Sequence, residues 1–260
     1  GGLLIGTFTF LTASIWELRS AISSAFNSLA RQYEDDLYMT DLIEFLDIEP
    51  KVIKPYNGIR LDPNKTPAIE FRNVSFVYPD TSNNILENIS FKLQPGEKMA
   101  LVGVNGAGKT TLVKLLCRFY DPTEGKILID GHDLKEIDIE SWYHHLGVLF
   151  QDYSHYYFAV KDAISIGRTS TPATSELIQN AAKQSESDMF IEEWDKKYEQ
   201  MLGKEFEGGI DPSVGQWQKL ALARTFYRVA RVLILDEPTS SIDAEAEANI
   251  FERLEKLPRD

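Results

Sequence analysis

The chain has a single cysteine, Cys117, so no disulfide can form within it, and it needs no oxidising compartment. Basic residues are scarce: 27 Lys and Arg face 40 Asp and Glu, a net charge of −13 with no basic stripe. That balance argues against nucleic acid as a main partner, because a phosphate-backbone binder concentrates positive charge. There is no initiator methionine, and the chain opens inside apolar sequence, which reads as a piece of a longer protein. No apolar run reaches the roughly 20 residues of a membrane span. Gly1–Trp16 carries no charge but stops short of that, and it lacks the basic start and cleavage site of a signal peptide. It is either the end of a membrane helix or part of an amphipathic helix of a soluble protein.

What is present is a hydrophobic fraction of 43% in 260 residues, enough for one large domain with an appendage. From Ser14 to Leu46 the residues Ile15, Leu18, Ile22, Phe26, Leu29 and Leu37 recur at helical spacing. Pro55, Gly58, Pro63 and Asn64 mark residues 50–67 as a linker. Ile69–Phe71 and Val74–Tyr78 alternate as a strand, with Ile85–Leu93 as its partner across the turn at Asp80–Asn84. Short strands are expected at Met99–Val102, Lys126–Ile129 and Gly147–Phe150, and a buried parallel strand at Val232–Leu235. Helices are expected at Thr111–Phe119, Ser175–Lys183, Ser213–Tyr227 and Ala244–Leu257. The alternation predicts an α/β fold with an antiparallel strand subdomain in front.

Gly103-Val104-Asn105-Gly106-Ala107-Gly108-Lys109-Thr110, set between an apolar strand and a helical pattern, is a complete phosphate-binding loop. Gly103, Gly106 and Gly108 let the backbone curl until successive amides, that of Asn105 among them, converge on one anion. The helix that follows adds its partial positive charge. Lys109 is placed for the β- and γ-phosphates of a nucleoside triphosphate, Thr110 for Mg²⁺, and Thr111 follows in frame. Asp236 and Glu237 end the buried strand, where ligands of parallel sheets bind. Asp236 is the candidate Mg²⁺ ligand, and Glu237 the candidate base for the attacking water.

Between them, Asp211-Pro212-Ser213-Val214-Gly215-Gln216-Trp217-Gln218-Lys219-Leu220-Ala221-Leu222-Ala223-Arg224 resembles the signature of ABC-transporter ATPases, usually LSGGQ before a Q-K/R-aliphatic-A-aliphatic-A-R helix. The resemblance extends from Ala68 to the C-terminus. It makes Tyr78 the aromatic that stacks on adenine and Gln151 the glutamine that senses Mg²⁺ and the membrane domain. Ser241-Ile242-Asp243 becomes the loop facing a second nucleotide domain, with Asp243 as its contact. Ser213, Gly215 and Gln216 would close over the γ-phosphate held by another copy. Further back, Gly6–Phe10 and Ile43–Asp47 resemble the last transmembrane helix of an ABC exporter, which tips the N-terminal segment toward a membrane origin.

The resemblance implies a P-loop NTPase of ABC type with an antiparallel β subdomain and a helical subdomain, preceded by a long helix. Residues 1–49 would be the last membrane helix with its cytoplasmic extension, 50–67 a linker, and 68–260 the ATP-binding domain. ATP and Mg²⁺ are the implied cofactors. A second ATPase domain (identical or different), the transmembrane domain and the membrane itself are the implied partners. The implied location is the cell membrane, with the ATPase on the cytoplasmic side. A soluble ABC ATPase acting on nucleic acid or ribosomes, and a nucleotide-gated module without turnover, are the alternatives. Pro212 and Val214 depart from the usual signature; proline is tolerated at a helix start, and Asp211 is the expected cap. The family's switch histidine would lie beyond the last helix. His132, His144, His145 and His155 precede Asp236 and read as surface or structural residues, so this stretch is expected to bind ATP better than it hydrolyses it. Tyr153, Tyr156, Tyr157 and Phe158 either line a groove for the membrane domain or are ordinary core and rim.

Overall fold

Apolar side chains at helical spacing build a first helix, α1 (Gly2–Leu46), of 45 residues. The computed structural model describes residues 2–79, 81–104, 106–237 and 252. Two units separate by contact, Gly1–Lys51 and Val52–Asp260. In the first, α1 leaves its apolar side chains uncovered, among them Leu4, Ile5, Phe8 and Phe10, each at least 67% exposed. Among the described residues no helix is long and apolar enough to cross a membrane.

The second unit begins with strands β1 (Ile69–Phe76) and β2 (Leu86–Leu93), antiparallel as their alternation requires. Helix α2 (Lys109–Leu116) follows, then β3 (Glu124–Ile129), β4 (His132–Asp133) and α3 (Ile139–His145). The first sheet runs β2-β1-β3-β4. Phe71, Val74, Phe76, Ile127 and Ile129 from its strands bury against Leu115 of α2 and Trp142 of α3. Strand β5 (Leu146–Leu149) precedes α4 (Val160–Ser165), α5 (Ser175–Gln184), α6 (Asp188–Glu193) and α7 (Val214–Tyr227). These helices share a second core of Val160, Ile164, Ile178, Ile191, Trp217 and Ala223. Strand β6 (Val232–Leu235) pairs parallel with β5 as its apolar run predicts, but its four residues are half-buried rather than buried.

Three expectations are corrected. Met99–Val102 forms no strand: an apolar run satisfies only one requirement of a strand, and neither sheet includes this segment in its pairing. Its Leu101 and Val102 are 41% and 95% exposed. Helix α2 stops at Leu116 rather than Phe119, because Arg118 takes the left-handed conformation at φ 53°. Asp211 does not cap α7. Ser213 does, and Asp211 instead lies 3.7 Å from Lys204. The helix expected at Ala244–Leu257 lies outside the described residues except for Glu252.

Residues 53–63, which read as linker, are bonded to the second unit along their length. Arg118 donates to the Ile53 carbonyl at 2.9 Å, and the Ile59 amide donates to Glu136 at 2.9 Å. The Leu61 amide donates to Ser141 Oγ at 3.3 Å, and the ring of buried His145 bridges the Asp62 and Ser141 carbonyls at 2.9 and 2.8 Å. Gly58 lies so close to α3 that a Cβ there would sit 2.6 Å from the Asp138 nitrogen. Prolines and a glycine signal a break in regular structure, and a chain free of helix or ladder bonds can still be strapped to a surface.

Candidate functional site

The candidate phosphate loop enters α2 through Gly108, where any side chain would be strained and crowded. Its φ is 87°, and a Cβ there would meet Leu86 Cδ2 at 2.7 Å. Gly106 also has positive φ, 84°. The Lys109 ammonium donates to the carbonyls of Gly103 and Val104 at 2.8 and 3.2 Å, so its charge lies across the mouth of its own loop.

One turn of helix places Thr110 and Thr111 side by side with different partners. The Thr110 hydroxyl donates to Asp236 Oδ2 at 2.8 Å. Asp236 is 7% exposed and is held at the end of β6 by its amide bond to the Leu149 carbonyl at 2.9 Å. Thr111, also buried, meets the Tyr78 hydroxyl at 3.2 Å. The Tyr78 ring stands edge-on to Phe76 and Tyr120 with centroids 4.9 and 5.2 Å away, and the Lys114 ammonium lies 5.9 Å from its centroid.

Glu237 follows directly. It is exposed, with φ 51°, a backbone region in which a non-glycine residue is held at a cost. Gln151 Nε2 donates to Glu237 Oε2 at 3.0 Å, and Gln218 Nε2 donates to the Glu237 carbonyl at 3.2 Å. Gln151 thus holds the carboxylate of Glu237, and Gln218 of α7 holds its main chain. Gln151 touches Glu237 here rather than Thr110 or Asp236.

Ser213 and Gln216 form a reciprocal capping box: Gln216 N donates to Ser213 Oγ at 3.3 Å, and Ser213 N donates to Gln216 Oε1 at 2.9 Å. Pro212 is buried one position before the cap, where its missing N–H costs nothing. Val214, beside the cap, is 63% exposed. The structure brings Lys109, Thr110, Thr111, Tyr78 and Asp236 together, and Gln151 with Glu237. The bonds of Ser213 and Gln216 stay within the first turn of α7, which also holds Gly215. Asn105, Ser241, Ile242 and Asp243 lie outside the described residues.

Sequence reasoning passed over Gln218 and Trp217. Their signal was available: Val214, Trp217, Gln218 and Arg224 recur at helical spacing, and the structure packs all four against residues 151–158 or Glu237.

A family model described as ABC transporter matches residues 86–240. Among curated proteins, the chain is 33% identical over its whole length to the subtilin transport ATP-binding protein SpaT of Bacillus subtilis. It is 36% identical over its whole length to the putative multidrug export ATP-binding/permease protein YgaD of Bacillus subtilis (strain 168). It spans 42% and 44% of these relatives' own lengths. A solved structure of a bacterial Atm1-family ABC exporter with ATP bound superposes with a TM-score of 0.76 at 32% identity, covering 86% of this chain and 38% of that one.

Proposed function

The chain belongs to the ABC transporter family, and from that premise we propose that it carries the ATP-hydrolysing motor of an exporter, continuous with the last helix of a membrane domain. The observation that carries the reading is the 2.8 Å bond from Thr110 to Asp236, which joins the phosphate loop to the end of β6. ATPases of this family bind and hydrolyse ATP in general.

The residues fit a magnesium ion. A buried carboxylate and a hydroxyl already within bonding distance make the sparse, all-oxygen donor set that Mg²⁺ accepts when phosphates and waters complete its shell. Thr110 and Asp236 would hold it, with Gln151 as a further candidate ligand, and it would offset negative charge on the phosphates.

The other roles follow from position. Lys109 exchanges the carbonyls of Gly103 and Val104 for the β- and γ-phosphates, while the amides of the glycine loop, Gly103 to Gly108, cradle the chain of phosphates. Tyr78 stacks on adenine through the ring face that Lys114 now approaches. Glu237 takes a proton from the attacking water, oriented by Gln151 and anchored by Gln218. A second ATPase domain supplies Ser213, Gly215 and Gln216, and with Asp243 covers the γ-phosphate. Closure of that pair moves the membrane helices, and hydrolysis releases it. The uncovered apolar side chains at the start of α1 suit a helix end packed among membrane helices. The substrate is set by those helices.

In the full-length protein, Lys109→Ala should abolish ATP binding by calorimetry, and Glu237→Gln should bind ATP normally while turning over about 10²-fold slower or worse. Unchanged affinity in the first variant would remove the phosphate-loop assignment. Normal turnover in the second would remove Glu237 from catalysis.

A further inference from the structure

Residues 151–158 leave the candidate site along one face of α7 and touch it at successive turns. Gln151 and Gln218 both hold Glu237, at 3.0 and 3.2 Å. The Tyr153 hydroxyl donates to the Val214 carbonyl at 3.2 Å. Arg224 donates to the Ser154 carbonyl at 3.0 Å and lies 4.4 Å over the Tyr156 ring. Between these polar contacts, the His155 imidazole lies flat on the Trp217 indole, with centroids 4.4 Å apart and planes at 6°. Trp217 is buried, and Tyr157 meets it edge-on at 5.8 Å.

We propose that His155 and Trp217 are positioning residues for ATP hydrolysis: their stack fixes the first turn of α7, with Ser213 and Gly215, relative to Gln151 and Glu237. The proposal rests on the motor reading above. Apolar packing seats α7 in the second core, and toward residues 151–158 the Tyr153–Val214 bond and the Arg224 contacts fix it near its two ends. The stack supplies a third, planar constraint between them. An aromatic pair favours a defined ring geometry beyond the area it buries, so it can hold an orientation. Misplacement of a catalytic geometry by about 1 Å can cost on the order of 10²-fold in rate.

The stack also senses protons. Burial of the ring lowers the His155 pKa below its ordinary value, the Asp211 carboxylate opposes this, and the Arg224 guanidinium adds to it. The remaining ring neighbours are Trp217 and Tyr153, the latter 5.6 Å away, and neither carries charge near neutrality. The site therefore favours the neutral ring, and as pH falls through the lowered value a positive charge enters the stack beside the Arg224 guanidinium.

The test is MgATP turnover and ATP affinity of the full-length protein from about pH 5 to 8, a range that spans the histidine titration. His155→Ala should lower kcat on the order of tenfold with ATP affinity unchanged. His155→Phe keeps the ring, so it should recover most of kcat and lack the acid-side fall expected of the wild type. Wild-type kcat in the alanine variant, a matching loss of ATP affinity, or a phenylalanine variant no better than alanine would each overturn the proposal. If the alanine variant does not fold, the pH profile of His155→Phe decides alone, and an unchanged acid limb overturns it. A wild type without ATP binding would instead sink the motor reading, and this proposal with it.

Discussion

The Thr110 hydroxyl and the Asp236 carboxylate lie 2.8 Å apart although 126 residues separate them in the chain. Asp236 is 7% exposed, and a buried carboxylate that loses a donor bears the cost of its own desolvation. Thr110→Val, similar in shape but without the hydroxyl, should therefore destabilise the second unit by about 1–3 kcal/mol in urea unfolding. It should weaken ATP binding more with Mg²⁺ present than without it. Equal loss under both conditions would reduce the bond to a structural one.

Ser213 has two separable tasks. Ser213→Ala should lower stability by about 0.5–2 kcal/mol through loss of the cap. Ser213→Asp caps equally well, so stability should return. In the proposed dimer, its carboxylate would face the γ-phosphate, so nucleotide-driven dimerisation measured by light scattering should stay impaired. Full dimerisation of the aspartate variant would confine Ser213 to capping.

Gly58→Ala tests whether residues 53–63 are bound to the domain in solution. The added Cβ would sit 2.6 Å from the Asp138 nitrogen and 2.7 Å from its Cα, and both are backbone atoms that cannot swing aside. The expected cost is about 1–3 kcal/mol. Hydrogen exchange at the Ile59 and Leu61 amides should accelerate in step. Protection unchanged from wild type would mean that the strap tolerates the intrusion.

Cys117 is 2% exposed, and burial raises its thiol pKa from 9.0 to about 12. A raised value means the folded state favours the protonated form. Its contribution to stability is whole below about 9 and drains away as pH rises toward about 12. Alkylation by iodoacetamide at pH 8 should be at least about 10²-fold slower in the native protein than in urea, because the reactive form is the thiolate. Rapid native labelling would contradict the burial.

What could be read without coordinates was local. Lys126–Ile129, Val232–Leu235 and the helix ending at Tyr227 were legible because periodicity is written within a few residues. Met99–Val102 misled for the same reason: its pattern suits a strand, but a strand also needs a partner that no local pattern supplies. The cap of α7 lies two residues beyond Asp211, at Ser213, because that is where Gln216 reaches back.

The chain alone determined the candidate phosphate loop and the carboxylates after β6, since both depend on backbone freedom and residue type at adjacent positions. Folding decided that Thr110 meets Asp236, that Gln151 and Gln218 converge on Glu237, and that His155 lies on Trp217. Those pairings join residues far apart in sequence. Their energies come from burial and shared geometry, which come into being when the strands and helices pack.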